Sequence, residues 1–462
     1  MRPARDRFAR VLKTRDVLTL AFGAMIGWSW VLMTGYWVIN AGSIGTLVAF
    51  GAGGLVIGFI ALTYAELASA MPRAGGEHVY THAGLGPGWS FVCTWALLMA
   101  YVTVCVFESV ALPLAVEYLL PAIRMGELWS VAGAPVDTGF VLVGLAGAVT
   151  MTVINVIGIR TAAIVQGIVT ALIFISGIVL FSGAMGFGSL ELAQPPVAVP
   201  AAGILSVLIM VPALLVGFDV LPQSAEEIDL PPRRIGRLLV ISLVMAVLWY
   251  GAVAFSVAVA LTPEELAGGG LITADAARKL WSGTAGGSWA GVALTFGGIG
   301  GILTSWNAFL IGGSRVVFAL AESGTLPAVF ARLHPRFKTP HVAIIAIGAL
   351  CCISPLFGRT ILVWLINSGS FSVVAAYLFV PIAFLALRRS QPELPRPYAL
   401  RYPRLVGYSA IVLAIGLLCL FMPFSPSALA WPQEWGMVLG WSVAGLVVWL
   451  TRRTNRQKEQ HT

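Results

Sequence analysis

The chain has 462 residues, 58% hydrophobic and only 10% charged, with a mean hydropathy of +0.90. A soluble globular chain carries about 25% charged residues. The composition therefore excludes a soluble enzyme, a disordered chain and a disulfide scaffold, and leaves a polytopic helical membrane protein. The net charge of +8 raises nucleic acid as a partner, and only the placement of the charges can decide that.

In chain order, residues 1–16 hold Arg2, Arg5, Arg7, Arg10, Lys13 and Arg15 and run straight into a long apolar segment. With no short h-region or cleavage site, they read as a cytoplasmic N-terminus, not a cleavable signal. A spanning helix needs about 20 mostly apolar residues. Twelve such spans are predicted: 17–40, 44–70, 89–120, 139–158, 162–186, 201–225, 237–261, 289–320, 341–357, 361–387, 404–423 and 435–451. The first holds Gly23-Ala24-Met25-Ile26-Gly27-Trp28-Ser29-Trp30 and then Gly35. The third holds Glu108 at mid-span. The sixth holds Pro212, Gly217-Phe218-Asp219 and Pro222. The connection 262–288 reads as a partly helical external loop, and 452–462 as a cytoplasmic tail.

An even span count puts both termini on one side. That side takes 24 of the 28 Lys and Arg, leaving Arg124, Arg278, Lys279 and Arg359 on the other. Such a split predicts cytoplasmic termini. The basic balance is topological and implies no nucleic acid. The five cysteines (Cys93, Cys105, Cys351, Cys352, Cys419) sit in apolar runs without a CxxC pair, so neither a zinc site nor a disulfide framework is suggested.

Interrupted helices five spans apart point to an inverted-repeat transporter whose site lies where backbone is exposed. Close packing of helices is the competing reading for glycine. It suits Gly51–Gly54, Gly297–Gly301 and Gly416 better than the first and sixth spans, because broken backbone in lipid is costly unless it lines a cavity.

Four ordered stretches carry a family resemblance. They are Gly23–Gly27; Tyr64-Ala65-Glu66-Leu67 with Met71-Pro72-Arg73-Ala74-Gly75-Gly76; Gly217-Phe218-Asp219 with Ala225-Glu226-Glu227-Ile228 and Pro231–Arg234; and Gly313-Ser314-Arg315 with Ala319 and Pro327. Over about residues 15–340 the chain resembles the amino acid–polyamine–organocation (APC) superfamily. The resemblance implies an all-α membrane protein of the LeuT-like 5+5 fold. Spans 1–5 and 6–10 would be inverted repeats within 17–387, with spans 11–12 (388–451) accessory. It also implies alternating access for a small amine-bearing solute in the inner membrane, with no enzyme activity, no cofactor and no evident partner subunit.

By the same resemblance, the backbone of Gly27, Trp28 and Ser29 meets a substrate carboxylate, which suits freed N–H groups at a helix start, with Ile26 beside them as a further substrate-binding residue. The carbonyls of Ala213, Leu214 and Val216 meet an ammonium, with Phe218 and Asp219 beside them. A coupling cation would lie between the carbonyls of Gly23 and Ile26 and Gly301, Thr304 and Ser305 of span 8, three positions on one helix face. Hard oxygen ligands suit sodium, the first reading; back-bonding of Thr304 and Ser305 to their own helix is the alternative. Proton coupling is the second reading, through Glu108 or Asp219, and exchange or uniport the third. Asp219 can equally cap freed amides, and Glu108 can simply bond a neighbouring helix. Some proton-coupled relatives carry a Lys seven residues after a Gln on span 5; here Gln166 leads to Ile173. Trp28-Ser29 replaces a small residue and Gly, and Ala213 replaces an aromatic gate, a role left to Trp28, Trp30 or Phe218. Glu66, Glu226 and Glu227 are expected near cytoplasmic arginines, as ion pairs of an inner gate or as plain surface groups. His78 is either a pH sensor or part of a solvated loop. An organic amine or polyamine exchanger, and a channel or non-transporting sensor, stand as alternatives.

Overall fold

The computed structural model describes residues 8–268, 271–284, 287–425 and 428–460, with the side chains of 288 and 453–460 left aside. Arg2, Arg5 and Arg7, and the side chains of Arg453, Arg456 and Lys458, lie outside the described residues. The first predicted span is three pieces: α1 (Thr14–Met25), α2 (Ser29–Leu32) and α3 (Thr34–Ala41). α4 (Ser43–Ala70), the short α5 (Glu77–Leu85) and α6 (Pro87–Leu119) follow. A hairpin of β1 (Glu127–Val131) and β2 (Ala134–Asp137) then leads to α7 (Thr138–Ile157) and α8 (Ile159–Phe187).

The sixth span is again broken, into α9 (Ala202–Leu208), α10 (Val211–Leu214) and α11 (Val220–Gln223). Next come α12 (Pro232–Ala258), the loop helices α13 (Pro263–Ala267) and α14 (Ile272–Leu280), and α15 (Gly287–Glu322). The chain ends with α16 (His341–Ile353), α17 (Ile361–Ser390), α18 (Pro403–Leu420) and α19 (Gln433–Gln460).

Among the described residues, nine helices are long and apolar enough to cross a membrane: α4, α6, α7, α8, α12, α15, α17, α18 and α19. The three other predicted spans are the two broken ones and α16, which continues as a 3₁₀ turn over Ser354–Phe357. The β-hairpin is unforeseen by an all-helical reading. Ala132 (φ 49°) and Gly133 (φ 80°) make its tight turn; two positive φ angles match the twist of antiparallel strands.

α6 and α15 form the buried centre and pack on each other. α4 lies along α12, α7 along α16, α8 along α15, and α6 along α17. α18 and α19 are peripheral and show apolar side chains such as Val412 and Val443 to the surroundings. α19 is pinned by stacked Trp95 and Trp441, each indole N–H donating to the other's carbonyl (2.8 and 2.9 Å). The N-terminal segment and Arg452 both reach the C-terminal end of α15, through Phe8–Phe318 and Arg452–Thr325. Phe8 and Arg452, near the two ends of the described chain, therefore lie on one face.

Candidate functional site

The two breaks face each other at the centre. α1 stops at Met25, and Ile26, Gly27 and Trp28 are non-helical. Gly217 adopts φ +129°, and a Cβ there would sit 2.7 Å from Ala24 Cβ and 3.0 Å from the Met25 nitrogen. Glycine is required both by the dihedral and by the approach of the two strands of backbone. Asp219 maintains the second break. Its Oδ1 accepts the Gly217 N–H (2.8 Å) and its Oδ2 accepts the Tyr101 hydroxyl (2.7 Å). The Gly217 amide is thus diverted from the Ala213 carbonyl, the partner it would have in an unbroken helix. Asp219 orients the unwound backbone; it makes no side-chain cap on α11.

A cavity of about 820 Å³ opens from the breaks toward the face opposite the termini. Gly27, Trp28, Ser29, Ala213, Leu214 and Val216 line it. Ile26, Phe218 and Asp219 do not: all three are fully buried behind it, and Phe218 packs on Tyr64 and Tyr377. The amides of Gly27, Trp28 and Ser29 donate to no acceptor among the described residues. Trp28 is 2% exposed and its ring lies against Gly298, where a Cβ would come within 2.5 Å of Cζ3. Trp28 therefore fills volume beside span 8 as well as lining the cavity.

Glu108 is the one acidic side chain lining the cavity among the described residues, and no Lys or Arg lines it. Its Oε1 accepts the Ser305 hydroxyl (2.5 Å); its buried Oε2 has no partner. A Cβ on Gly27 would lie 2.9 Å from Glu108 Oε1, so the acid sits directly against the first break. Apolar groups make up most of the rest, including Met33, Val104, Phe107, Phe309 and Ile366.

The five candidate cation ligands divide. Thr304 Oγ1 is 3.4 Å from the Ile26 carbonyl but donates to its own helix at Gly301 O (2.9 Å). A Cβ on Gly301 would stand 2.5 Å from Gly27 O and 3.1 Å from Ile26 O, and one on Gly23 would be 2.9 Å from Thr304 Cβ. Gly23, Ile26, Gly301 and Thr304 come together, whereas Ser305 turns to Glu108.

The termini face is closed by ion pairs. Arg315 and Glu227 form a two-pronged pair (3.0 and 2.8 Å), both almost fully buried, with Phe8 under the guanidinium. Val11 and Leu12 N–H groups donate to the Glu227 carbonyl (3.0 Å each). Glu66 accepts from Arg388, Arg396 and the Leu400 amide, and Glu226 accepts the Ala74 N–H. His78 lies in α5, not in a solvated loop. It is 7% exposed, its Nδ1 meets Ser90 and Thr94, and burial pushes it down to about 4. It is therefore neutral throughout the physiological range.

Three supports escape sequence reasoning. Tyr250 donates to the Met25 carbonyl (2.8 Å), lies 3.3 Å from Ser29 Oγ, and so braces the first break from α12. Tyr101 holds Asp219. A buried amide set joins Asn155, Asn307 and Gln166 (2.9 and 2.8 Å), and Gln166 reaches Thr19 O at 3.2 Å. A buried Tyr or Asn within an apolar span is the only signal any of them gives.

Residues 12–448 match the family model described as amino acid permease. The branched-chain amino acid permease BcaP of Bacillus subtilis (strain 168) is 27% identical over 451 residues, 96% of this chain and 90% of the relative. The methylthioribose transporter of the same organism is 25% identical, covering 92% of this chain and 90% of the relative. Cationic amino acid transporter 4 of Mus musculus is 27% identical over 85% of this chain and 62% of its own length.

Proposed function

The chain belongs to the amino acid permease family, a multi-pass membrane transporter and not an enzyme, and on that premise we propose that it carries an amino acid with an apolar side chain by alternating access. The observation that carries this is the pairing of polar ends with an apolar wall. The free amides of Gly27–Ser29 suit a carboxylate. The Ala213–Val216 carbonyls and the unpartnered Oε2 of Glu108 suit an ammonium. Met33, Val104, Phe107 and Phe309 suit a hydrocarbon side chain. Relatives named for branched-chain amino acids agree with that wall.

The 5+5 arrangement is supported by the helix pairings. Exchanging the halves turns the third-with-tenth pairing (α6·α17) into the eighth-with-fifth (α15·α8). It leaves second-with-seventh (α4·α12), third-with-eighth (α6·α15) and fourth-with-ninth (α7·α16) unchanged. We assign twelve spans, cytoplasmic termini and residence in the cell membrane on the charge split.

For coupling, Gly23, Ile26, Gly301 and Thr304 support sodium, as oxygen-bearing backbone and a hydroxyl in one place. The Glu108–Ser305 pair beside Gly27 supports a proton. A polyamine fits less well, because Glu108 is the one acid available to two or more ammonium groups.

Purified protein in liposomes tests the proposal. Labelled leucine, isoleucine or valine should accumulate and be competed by one another, but not by putrescine or lysine. Uptake driven by a sodium gradient and lost in Thr304→Ala assigns sodium; uptake driven by a proton gradient and lost in Glu108→Gln assigns the proton. Flux of putrescine alone, or saturable binding without flux, would overturn the reading.

A further inference from the structure

Beneath the second break, on the closed face, lies a second polar centre. Glu77, the first residue of α5, is fully buried, and its Oε2 accepts from Gln223 Nε2 at the end of α11. Its Oε1 has no partner. Neither do Gln223 Oε1, Ser224 Oγ or Tyr80 OH, all on fully buried residues, while the Tyr64 hydroxyl is a hydrogen-bond donor beside the Glu77 carboxylate. Tyr64 and Tyr80 interact electrostatically with Glu77, and Asp219 lies close enough to do the same.

Among the described residues no Lys, Arg or His pairs with Glu77 or Asp219. Arg315 is committed to Glu227, and Arg388 and Arg396 to Glu66; His78 meets Ser90 and Thr94 through Nδ1, and its buried Nε2 has no partner.

A buried carboxylate without a counter-charge, beside the unpartnered Gln223 Oε1 and Tyr80 OH, is costly. A proton on Glu77 would add one donor to those the Tyr and Ser hydroxyls already carry, whereas a cation answers the carboxylate charge itself. An organic ammonium needs room for its carbon skeleton, and Gly76 already packs so closely that a Cβ would lie 2.9 Å from Pro222 and 3.0 Å from Gln223. A small cation with five or six hard oxygen ligands answers both the charge and the lone pairs. We propose that these residues bind a dehydrated monovalent inorganic cation, sodium or potassium, with Glu77 as its charged ligand. The ion ties α5 to the second half of the sixth span, so it joins two segments on the closed face. This site is separate from the Gly23–Thr304 set and does not depend on what the central cavity carries.

The test is binding to the full-length protein purified in detergent, so that it stands apart from the transport reading. Melting temperature is followed in sodium, potassium and choline chloride at equal ionic strength, at neutral and mildly acidic pH. A saturable rise with sodium or potassium over choline is expected, and which salt gives it names the ion. Glu77→Gln should weaken its apparent affinity by about tenfold or more. Tyr64→Phe should weaken it by less, and decides the matter should Glu77→Gln fail to fold. Thr304→Ala should retain the rise. Equal stability in all three salts, a response to pH alone, or a cation response lost in Thr304→Ala and kept in Glu77→Gln would each overturn the proposal.

Discussion

At the scale of single residues, the site depends on glycines that let backbone meet backbone. Gly301 leaves 2.5 Å between a would-be Cβ and the Gly27 carbonyl, and neither partner is a flexible side chain that could yield. Gly301→Ala should therefore destabilise the fold by about 1–3 kcal/mol and suppress uptake more than that loss of folded protein explains. Thermal unfolding and uptake per folded molecule check the two parts. His78 gives a prediction of the opposite kind, in which function stays and stability moves. Its folded form is held at about 4 against an ordinary 6.5, so the unfolded chain binds the proton more readily. Stability is full above the unfolded value and falls as pH drops from about 6.5 toward 4, by up to roughly 3 kcal/mol. In His78→Gln that part of the acid loss should disappear while transport near neutral pH is little changed. A His78→Gln profile parallel to the wild type would show that the imidazole is not the group responsible.

At the scale of elements, each half of the second break is secured by a different neighbour: Asp219 and Tyr101 at the break, Arg315 and Glu227 below it. The Arg315–Glu227 pair is 1–2% exposed, so removing one partner strands a buried charge, at a cost of about 3–5 kcal/mol. Glu227→Gln should lower the melting temperature. Because Val11 and Leu12 bond the Glu227 backbone, which the lost side-chain pair anchors to α15, it should also raise labelling of a cysteine placed at Ser323 on the termini face. Unchanged labelling with a lowered melting temperature would make the pair structural only. These elements also mark how far the sequence was legible. The breaks follow from Gly23–Gly27 and Gly217-Phe218-Asp219, because glycine and proline act locally. The charge pairing of Glu66 and Glu227 follows from acids lying near arginine-rich ends. Tyr250 and the Asn155–Asn307–Gln166 set do not follow: each bond spans more than 100 residues, and a lone polar group in an apolar helix has no periodicity to reveal its partner. The same blindness placed Phe218 and Asp219 in the cavity. Helix spacing breaks down where the chain unwinds, and only the path of the unwound segment turned both side chains inward. The β-hairpin escaped because a span-length window averages over nine residues of strand.

At the scale of the whole molecule, the cavity is open on one face while ion pairs and the N-terminal strap close the other. That asymmetry is the geometry alternating access requires of one of its end states. The predicted topology puts the open face outside, because 24 of the 28 basic residues fall on the termini side. Ser206 lines the open part of the cavity and is half-buried, so a cysteine there can report on both claims. Take Ser206→Cys in a background where Cys352 and Cys419, the two free cysteines not fully buried, are replaced by Ser. A membrane-impermeant maleimide added to intact cells should label it. Saturating leucine or isoleucine should slow labelling, because substrate in the cavity shields the thiol and favours closure over it. Labelling only after the cells are opened would reverse the topology and put the basic loops outside. Rapid labelling that no apolar amino acid slows would leave the topology intact but remove the cavity from the transport path. Side of access and identity of substrate are thus read from one thiol, by two independent changes in a single rate.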